Sequence, residues 1–323
     1  ISLMPLPSQS VDAQQRAPIG TNLGGIASWN SQWAFVDAFK MARPWISQAE
    51  GQGWGQGGEL DLTPNGWVRS LQPGQYAETI MMDNAEYFPD GIYTVLWEGD
   101  GTVEFGINKP EIVDQGNRWM RIRPQSDGGL YLRVMATNPN DPVRNIRVIM
   151  PGFESTYQTQ PFHPAFLASL QGFTTLRFMD WMETNNSHVV TWDDRPKPGD
   201  QSQHSGVALE YMILLANTRN IDPWFTMPHM ADDNYIRQFA RMVRDNLEPG
   251  RKAYIEYSNE TWNWQFDQAH YVAEQGLAMN LAESGGRGGV FSHAHRAMEI
   301  FDIWEQEFGS RDRLVRVLAS QSA

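Results

Sequence analysis

An asparagine–glutamate pair beside two tryptophans is the part of this sequence best suited to chemistry. Asn259 and Glu260 follow the apolar and aromatic run 251–257, which predicts a β-strand, and Trp262 and Trp264 come directly after the pair. A carboxyl group can donate and accept protons, and indole rings offer large apolar faces that suit sugar rings. A glutamate at the end of a strand among indoles therefore indicates acid–base chemistry on a sugar.

The residues around this pair resemble a known signature. Ile255-Glu-Tyr-Ser-Asn-Glu260 is similar to the fourth strand of clan A glycoside hydrolases, which are retaining enzymes built on a (β/α)8 barrel. The resemblance implies that Glu260 is the general acid/base and that Asn259 binds the sugar 2-hydroxyl. The clan often has an acidic residue four positions before the acid/base, and Glu256 stands there.

Two further segments resemble strands of the same clan. Leu176-Arg-Phe-Met-Asp180 is similar to its second strand, which places an arginine, here Arg177, under the active site. Trp224-Phe-Thr-Met-Pro-His229 is similar to its third strand, where several families keep a sugar-contacting histidine, here His229. The resemblance therefore implies that Arg177 and His229 bind substrate.

The chain holds 13 tryptophans among 323 residues, a high number. Indoles can bind sugars, but they are also ordinary core residues, and the core is the default assignment for any one of them. Trp181, Trp262 and Trp264 stand beside the predicted strand ends. These three are therefore the predicted sugar contacts.

Strand alternation connects two of the charged residues. Glu256 lies four positions before Glu260, so both point to the same face of the strand, toward the interior of a barrel. A buried carboxylate requires a partner, and Arg177 is the predicted one.

The order of the elements predicts one α/β domain interrupted by another. Residues 1–50 form an N-terminal arm and the first barrel unit, with a strand at 18–23 and a helix at 34–43. Residues 51–150 carry short alternating segments at roughly ten-residue spacing, which predicts an inserted antiparallel β-sandwich. Residues 151–323 alternate between strand and helix patterns, which predicts parallel strands in barrel units two to five.

Particular elements are predicted by the same patterns. Strands are predicted at 174–180, 223–227, 252–257 and 314–319, and a helix at 233–246. The fold class is therefore α/β, a TIM-barrel-like (β/α)8 fold that is incomplete, with about five βα units.

Five strands do not close an eight-stranded barrel. A retaining mechanism needs two carboxyl groups about 5–5.5 Å apart, and the resemblance places the nucleophile at the end of the seventh strand. No residue of this chain is assigned as nucleophile. Two explanations stay open: the rest of the barrel is a missing segment or a separate chain, or this is a smaller αβ fold that carries only the motif.

One cluster has residue types that can bind a metal. His229, Asp232 and Asp233 lie close together in sequence. The alternative is that Asp232 caps the following helix while His229 contacts sugar. His293 and His295 are two positions apart, on different faces of a helix, which argues against a shared metal. No metal or other cofactor is predicted.

The composition of the chain excludes several classes of partner and of chemistry. The net charge of −13 argues against nucleic acid or an anionic membrane as partner. No apolar run approaches the roughly 20 residues of a spanning helix. The absence of cysteine excludes disulfides and thiolate chemistry. A secreted or periplasmic location is inferred from the expected substrate, since no signal peptide is visible.

The sequence thus predicts a retaining glycoside hydrolase for a β-linked polysaccharide or oligosaccharide. The alternative is a non-catalytic carbohydrate-binding protein on a glycosidase-like scaffold. The unassigned nucleophile keeps that alternative open.

Overall fold

The computed structural model describes residues 18–83, 87–125 and 128–321. The strands are β1 (Gly20–Asn22), β2 (Ile46–Ala49), β3 (Asp61–Leu62), β4 (Val68–Ser70), β5 (Gln75–Met81), β6 (Tyr93–Glu98), β7 (Gly101–Phe105), β8 (Glu111–Gly116), β9 (Trp119–Arg123), β10 (Leu130–Thr137), β11 (Arg144–Ile149), β12 (Thr175–Arg177), β13 (Asp222–Met227), β14 (Ala253–Tyr257) and β15 (Leu314–Val317). The α-helices are α1 (Pro164–Ser169), α2 (Leu209–Arg219), α3 (Asp233–Asn246), α4 (Asp267–Ala278) and α5 (Gly285–Phe308).

Five strands form a parallel sheet in the order β1-β12-β13-β14-β15. Their register places Asn22 beside Arg177 and Arg177 beside Trp224. One pair further on, Thr226 lies beside Glu256. Since the strands are parallel and helices connect β12 through β15, their carboxyl ends lie at one edge of the sheet. The residues that come after these strands therefore share that edge.

The predicted parallel strands are confirmed with small shifts of their ends. The predicted helix 233–246 is confirmed to the residue, since α3 spans Asp233–Asn246. Asp232 accepts a hydrogen bond from the Tyr235 amide at 2.6 Å, which satisfies one of the free N–H groups of the first turn. Of the two readings of Asp232, the helix cap is the one confirmed.

The predicted helix 34–43 is wrong. Only residues Ala38–Met41 are helical, in a short 3-10 turn. Phe35 forms a bridge pair with Phe162, and Asp37 forms one with Ile149. The apolar residues there pack against distant segments in extended and turn conformations, so tertiary contacts override the local pattern.

The segment between the first two parallel strands is antiparallel. One four-stranded sheet has the order β2-β5-β10-β7 and the other β11-β6-β9-β8, and β3 pairs with β4. The first of these sheets begins at Ile46, five residues before the predicted boundary at 51. β2 therefore belongs with the antiparallel strands and not with the first parallel unit.

The antiparallel and parallel parts share one apolar core. Leu132 of β10, Phe39 of the 3-10 turn and Phe225 of β13 belong to the same cluster of buried side chains. Phe39 stacks on Trp67 at 5.9 Å, and the Trp67 indole N–H donates to the Gly199 carbonyl. The inserted antiparallel segment therefore shares its buried core with the parallel sheet.

The fold is mixed α/β, with a parallel five-stranded sheet whose edges are β1 and β15 beside antiparallel sheets. Among the helices of the described ranges, none combines the length and apolar character needed to cross a lipid bilayer.

Candidate functional site

The two faces of the parallel sheet differ in character. On one face, Phe225 of β13 packs edge-on against Phe239 of α3 and stacks with Trp304 of α5. These rings are almost fully buried. Neighbouring positions in the strands alternate between faces, so the opposite face carries Arg177, Trp224 and Glu256.

Three hydrogen bonds converge on one carboxylate oxygen of that opposite face. Glu256 Oε2 accepts from Arg177 Nε at 3.0 Å, from Arg177 Nη2 at 2.8 Å and from Trp224 Nε1 at 2.8 Å. The Arg177 guanidinium also lies 5.3 Å from the Trp224 ring centre. The predicted pairing of Arg177 with Glu256 is therefore confirmed.

Burial decides the electrostatics of Glu256. Its side chain is only 3% exposed, and this desolvation raises the pKa of Glu256 above its usual range. The positive charge of Arg177 and the hydrogen bonds from Arg177 and Trp224 act in the opposite direction. The ion pair thus offsets only part of the cost of burying this carboxylate.

Asn259 extends the network to the end of β14. Arg177 Nη2 donates to Asn259 Oδ1 at 3.0 Å, and Asn259 Nδ2 donates to Asn185 Oδ1 at 2.9 Å. The side chain is buried. Each end of the Asn259 amide therefore has a protein partner, and the binding of a sugar 2-hydroxyl stays a prediction that would use its second N–H hydrogen.

Two polar residues that hold this network were not predicted from the sequence. Gln268 of α4 donates from Nε2 to Asn185 Oδ1 at 2.7 Å and to the Asn259 carbonyl at 2.9 Å. Asn185 lies in the loop after β12, and no sequence pattern connects it with α4. The contact of Trp224 could have been predicted from the sequence, because strand alternation places Trp224 on the same face of the sheet as Glu256.

Glu260 occupies a strained backbone position directly after the network. Its φ angle is 42°, in the left-handed region that residues with a Cβ seldom adopt. Its carboxylate Oε2 accepts from Asn263 Nδ2 at 2.8 Å, and its carbonyl accepts from the Asn263 amide at 2.8 Å. The turn from Glu260 to Asn263 therefore fixes both the backbone and the carboxylate.

His229 is placed near this edge but is almost fully covered. It is 4% exposed, its ring meets Tyr271 edge-on at 5.2 Å, and its carbonyl accepts from the Tyr257 hydroxyl at 3.0 Å. Nδ1 has no hydrogen-bond partner among the described residues. Burial lowers the pKa of His229, so the imidazole is neutral near pH 7. Such burial leaves little of the ring for the predicted sugar contact.

The three predicted tryptophan contacts have different surroundings. Trp181 is 1% exposed and donates from Nε1 to the Gly24 carbonyl at 3.1 Å, and it also lines a cavity at the end of β1, so its sugar contact stays a prediction. Trp264 is 54% exposed and Trp262 is half-buried. Both line a cavity of about 260 Å³, which is called here the third cavity because two larger ones are described next.

Two larger cavities adjoin each other at the same sheet edge. The first, of about 590 Å³, lies at the end of β1 and includes Trp29. The second, of about 620 Å³, is formed by the loop after β12 and includes Asn185. Glu183 and His204 line both cavities. The two cavities therefore adjoin each other, and together they are called here the main cleft.

The network and the main cleft meet at Asn185. This residue lines the second cavity and accepts the hydrogen bond from Asn259. Arg177 and Asn259 are therefore brought together beside the cleft, with Glu260 next in the chain. Among the described residues, no group of three His, Asp or Glu side chains could hold a metal ion.

Comparisons with known proteins give no relative. The chain matches no protein-family model, no curated protein and no solved structure.

Proposed function

We propose that the protein is a retaining glycoside hydrolase of clan A that acts on a β-linked polysaccharide or oligosaccharide. The observation that carries the proposal is the hydrogen-bonded series Glu256–Arg177–Asn259, which holds the residue before Glu260 beside the main cleft. The resemblance selects these residues, and their mutual contacts support it.

Glu260 is the general acid/base in this proposal. It protonates the glycosidic oxygen as the leaving group departs, and it then takes a proton from the water that releases the glycosyl-enzyme. The turn that fixes Glu260 supports this role, because proton transfer requires a carboxyl group held within hydrogen-bonding distance of the reacting oxygen. The nucleophile is not assigned to a residue of this chain.

The network is a support for Glu260 and not a set of free ligands. Arg177 and Asn259 are hydrogen-bonded to each other. Arg177 is also bonded to Glu256, and Asn259 is also bonded to Asn185. Groups held in this way are preorganised, and the remaining hydrogen of the Asn259 amide is the part that a sugar hydroxyl can use.

The proposal also includes the finer fold. We infer that the parallel strands belong to a (β/α)8 barrel and that the antiparallel sheets form a sandwich inserted after its first unit. A parallel sheet usually has both faces covered. Here one face packs on helices and the other carries Arg177, Glu256 and Trp224, which suits the interior of a barrel below an active site.

The remaining parts of the proposal depend on the substrate. The partner is a polysaccharide or oligosaccharide, neither nucleic acid nor membrane, and the mechanism requires no cofactor. The location is secreted or periplasmic, where such polymers are encountered. A main cleft made of two adjoining cavities favours an extended chain of sugars over a single unit.

A non-catalytic carbohydrate-binding protein is the second candidate. The observation that favours it is the pair of half-exposed indoles, Trp29 and Trp264, each beside a cavity. Indole faces bind sugars without a nucleophile.

Product analysis separates the two candidates. The protein, together with the segment or chain that supplies the nucleophile, is incubated with a panel of β-linked polysaccharides, the release of reducing sugar is measured, and proton NMR identifies which anomer forms first. We expect the β-anomer to form first and the release to be lost in Glu260→Gln. Release should be normal in Glu248→Gln, because Glu248 precedes the start of β14 and Glu260 follows its end. Binding without release would support the second candidate, and release of the α-anomer would contradict retention.

A further inference from the structure

The third cavity lies beside the residue that follows Glu260 in the chain, because Thr261 forms part of its lining. Its walls are the residues that come after Glu260, the first turns of α5, and the residues after β15. Its lining includes Thr261, Trp262, Trp264, Gly286 and His293. The main cleft borders Asn259 through Asn185, so Glu260 stands in the chain between residues of the two spaces.

A buried histidine of α5 has an unused nitrogen at this cavity. His293 is 7% exposed, and its Nδ1 lies 2.9 Å from Thr261 Oγ1. Its Nε2 is buried and has no hydrogen-bond partner among the described residues. A buried polar atom without a partner has lost its hydration without a compensating hydrogen bond, so its presence at a cavity requires an explanation.

The contact with Thr261 leaves Nε2 unsatisfied in either tautomer. Burial lowers the pKa of His293, so the ring is neutral near pH 7. If Nδ1 donates to Thr261, then Nε2 is a bare acceptor; if Thr261 donates to Nδ1, then Nε2 carries the proton and is a donor. A hydroxyl group can satisfy either form, since it both donates and accepts.

The rest of the wall of the third cavity suits the binding of a single sugar ring. Trp262 and Trp264 offer indole surface, and the absence of side chains on the glycines at the start of α5 keeps the space open. A Cβ at Gly286 would meet nothing within 4 Å. At about 260 Å³ the cavity is smaller than the roughly 300–1,000 Å³ of sites for drug-sized ligands, so it fits a single sugar unit better than a chain.

We propose that the third cavity binds the leaving-group sugar, stacked on Trp262 or Trp264 with one hydroxyl hydrogen-bonded to His293 Nε2. The inference rests on the proposed function, because a general acid contacts the oxygen that joins the two halves of the substrate. Asn185 of the main cleft contacts the residue before Glu260, and Thr261 of the third cavity is the residue after it, so the main cleft holds the glycosyl part and the third cavity holds the departing part in this proposal.

The test is binding of small glycosides to the whole chain. Methyl β-glycosides of glucose, galactose, mannose and xylose are titrated against the wild type, His293→Ala and Trp264→Ala, with tryptophan fluorescence and calorimetry as readouts. We expect roughly tenfold weaker binding of the best glycoside in both variants. The matched control is His295→Ala on the same helix, which does not line the cavity and should bind normally.

Two further observations make the test specific. In nitrogen NMR, His293 Nε2 should shift on addition of the glycoside, which a packing role would not produce. Because Trp264 is half-exposed, Trp264→Ala remains informative even if His293→Ala fails to fold. In active protein, the same glycosides should intercept the glycosyl-enzyme in place of water, and both variants should lose this transfer.

The outcomes distinguish the two proposals. Binding that depends on His293 and Trp264 without any hydrolysis would overturn the proposed function and leave the cavity assignment standing. Hydrolysis together with unchanged glycoside binding and transfer in both variants would overturn the cavity assignment alone. If none of the four glycosides binds the wild type, the cavity assignment is wrong.

Discussion

The ion pair between Arg177 and Glu256 is the residue-scale feature on which the site depends. Glu256 is 3% exposed, so removal of its partner leaves a buried charge. We expect Arg177→Met to lower the free energy of unfolding at pH 7 by about 3–5 kcal/mol. Chemical denaturation monitored by circular dichroism measures this change.

Two comparisons make that prediction specific. The double variant Arg177→Met/Glu256→Gln should recover part of the loss, because no charge remains buried. Arg123→Met removes an exposed ion pair with Glu111 and should cost about 0–1 kcal/mol. Equal losses in Arg177→Met and Arg123→Met would show that the buried pair has no special role.

At the scale of residues, contacts could be predicted from the sequence where both side chains lie on strands, because strand alternation shows which face each side chain is on. The pairing of Arg177 with Glu256 was predicted from positions on the expected strands, and the contact is present. The engagement of Asn259 by Asn185 and Gln268 was not predicted, because a loop and a helix bring those residues together and no periodic pattern connects them.

At the scale of elements, α4 and α5 approach each other closely because Gly276 has no side chain. A Cβ at Gly276 would overlap the backbone of Gly288. We expect Gly276→Ala to separate the helices and to lower the free energy of unfolding by about 1–3 kcal/mol. Thermal or chemical denaturation measures the loss.

Gly286 provides the matched control on α5. A Cβ there meets no atom within 4 Å, and its φ is not in the left-handed region. Gly286→Ala should therefore leave stability unchanged or increase it by about 0.4–1 kcal/mol. If both variants lose the same stability, the close approach of α4 and α5 is not the cause.

A buried aspartate joins the first parallel unit to the antiparallel strands. Asp37 Oδ1 accepts from the amides of Phe39 and Val148 at 3.1 and 2.9 Å. Burial raises the pKa of Asp37, while Lys40 and the two amides act in the opposite direction. The folded protein therefore binds this proton more tightly than the unfolded chain does.

The raised pKa sets the direction of a pH effect. The stabilising contribution is complete below about pH 4, the ordinary pKa of aspartate, and is lost as pH rises through the folded pKa. We expect Asp37→Asn, which keeps the acceptor oxygen, to gain stability relative to the wild type as pH increases from 4 to 7. Urea denaturation across this range measures the difference, with exposed Asp302→Asn as control. Parallel curves for Asp37→Asn and wild type would contradict the assignment.

Element prediction from sequence depended on whether local signals dominate. The helix at 233–246 was predicted correctly because a capping aspartate and an apolar period coincide there. The helix at 34–43 was wrong because Phe35 and Asp37 pair with residues more than 100 positions away.

At the scale of the whole molecule, the shared core predicts how the protein unfolds. Buried side chains of the antiparallel sheets and of the parallel sheet belong to one cluster. We expect a single unfolding transition, with coincident midpoints for far-UV circular dichroism and tryptophan fluorescence. Two separated transitions would instead indicate independent units. The sequence showed the change from helical to alternating pattern, but shared packing leaves no periodic signal in either segment.

Proton donation by Glu260 is tested most directly by the leaving-group dependence of Glu260→Gln. The amide keeps the shape of the side chain but cannot donate the proton. We measure kcat/KM of wild type and variant on aryl β-glycosides with leaving groups of increasing pKa.

We expect a small loss of kcat/KM in Glu260→Gln when the leaving group is activated, since such a group departs with little protonation. The loss should grow to about 100-fold or more for the least acidic leaving group, in line with the usual contribution of general acid catalysis. Binding of the glycosides should stay near normal. An equal and modest loss across the whole series would contradict the assignment of Glu260 as the acid.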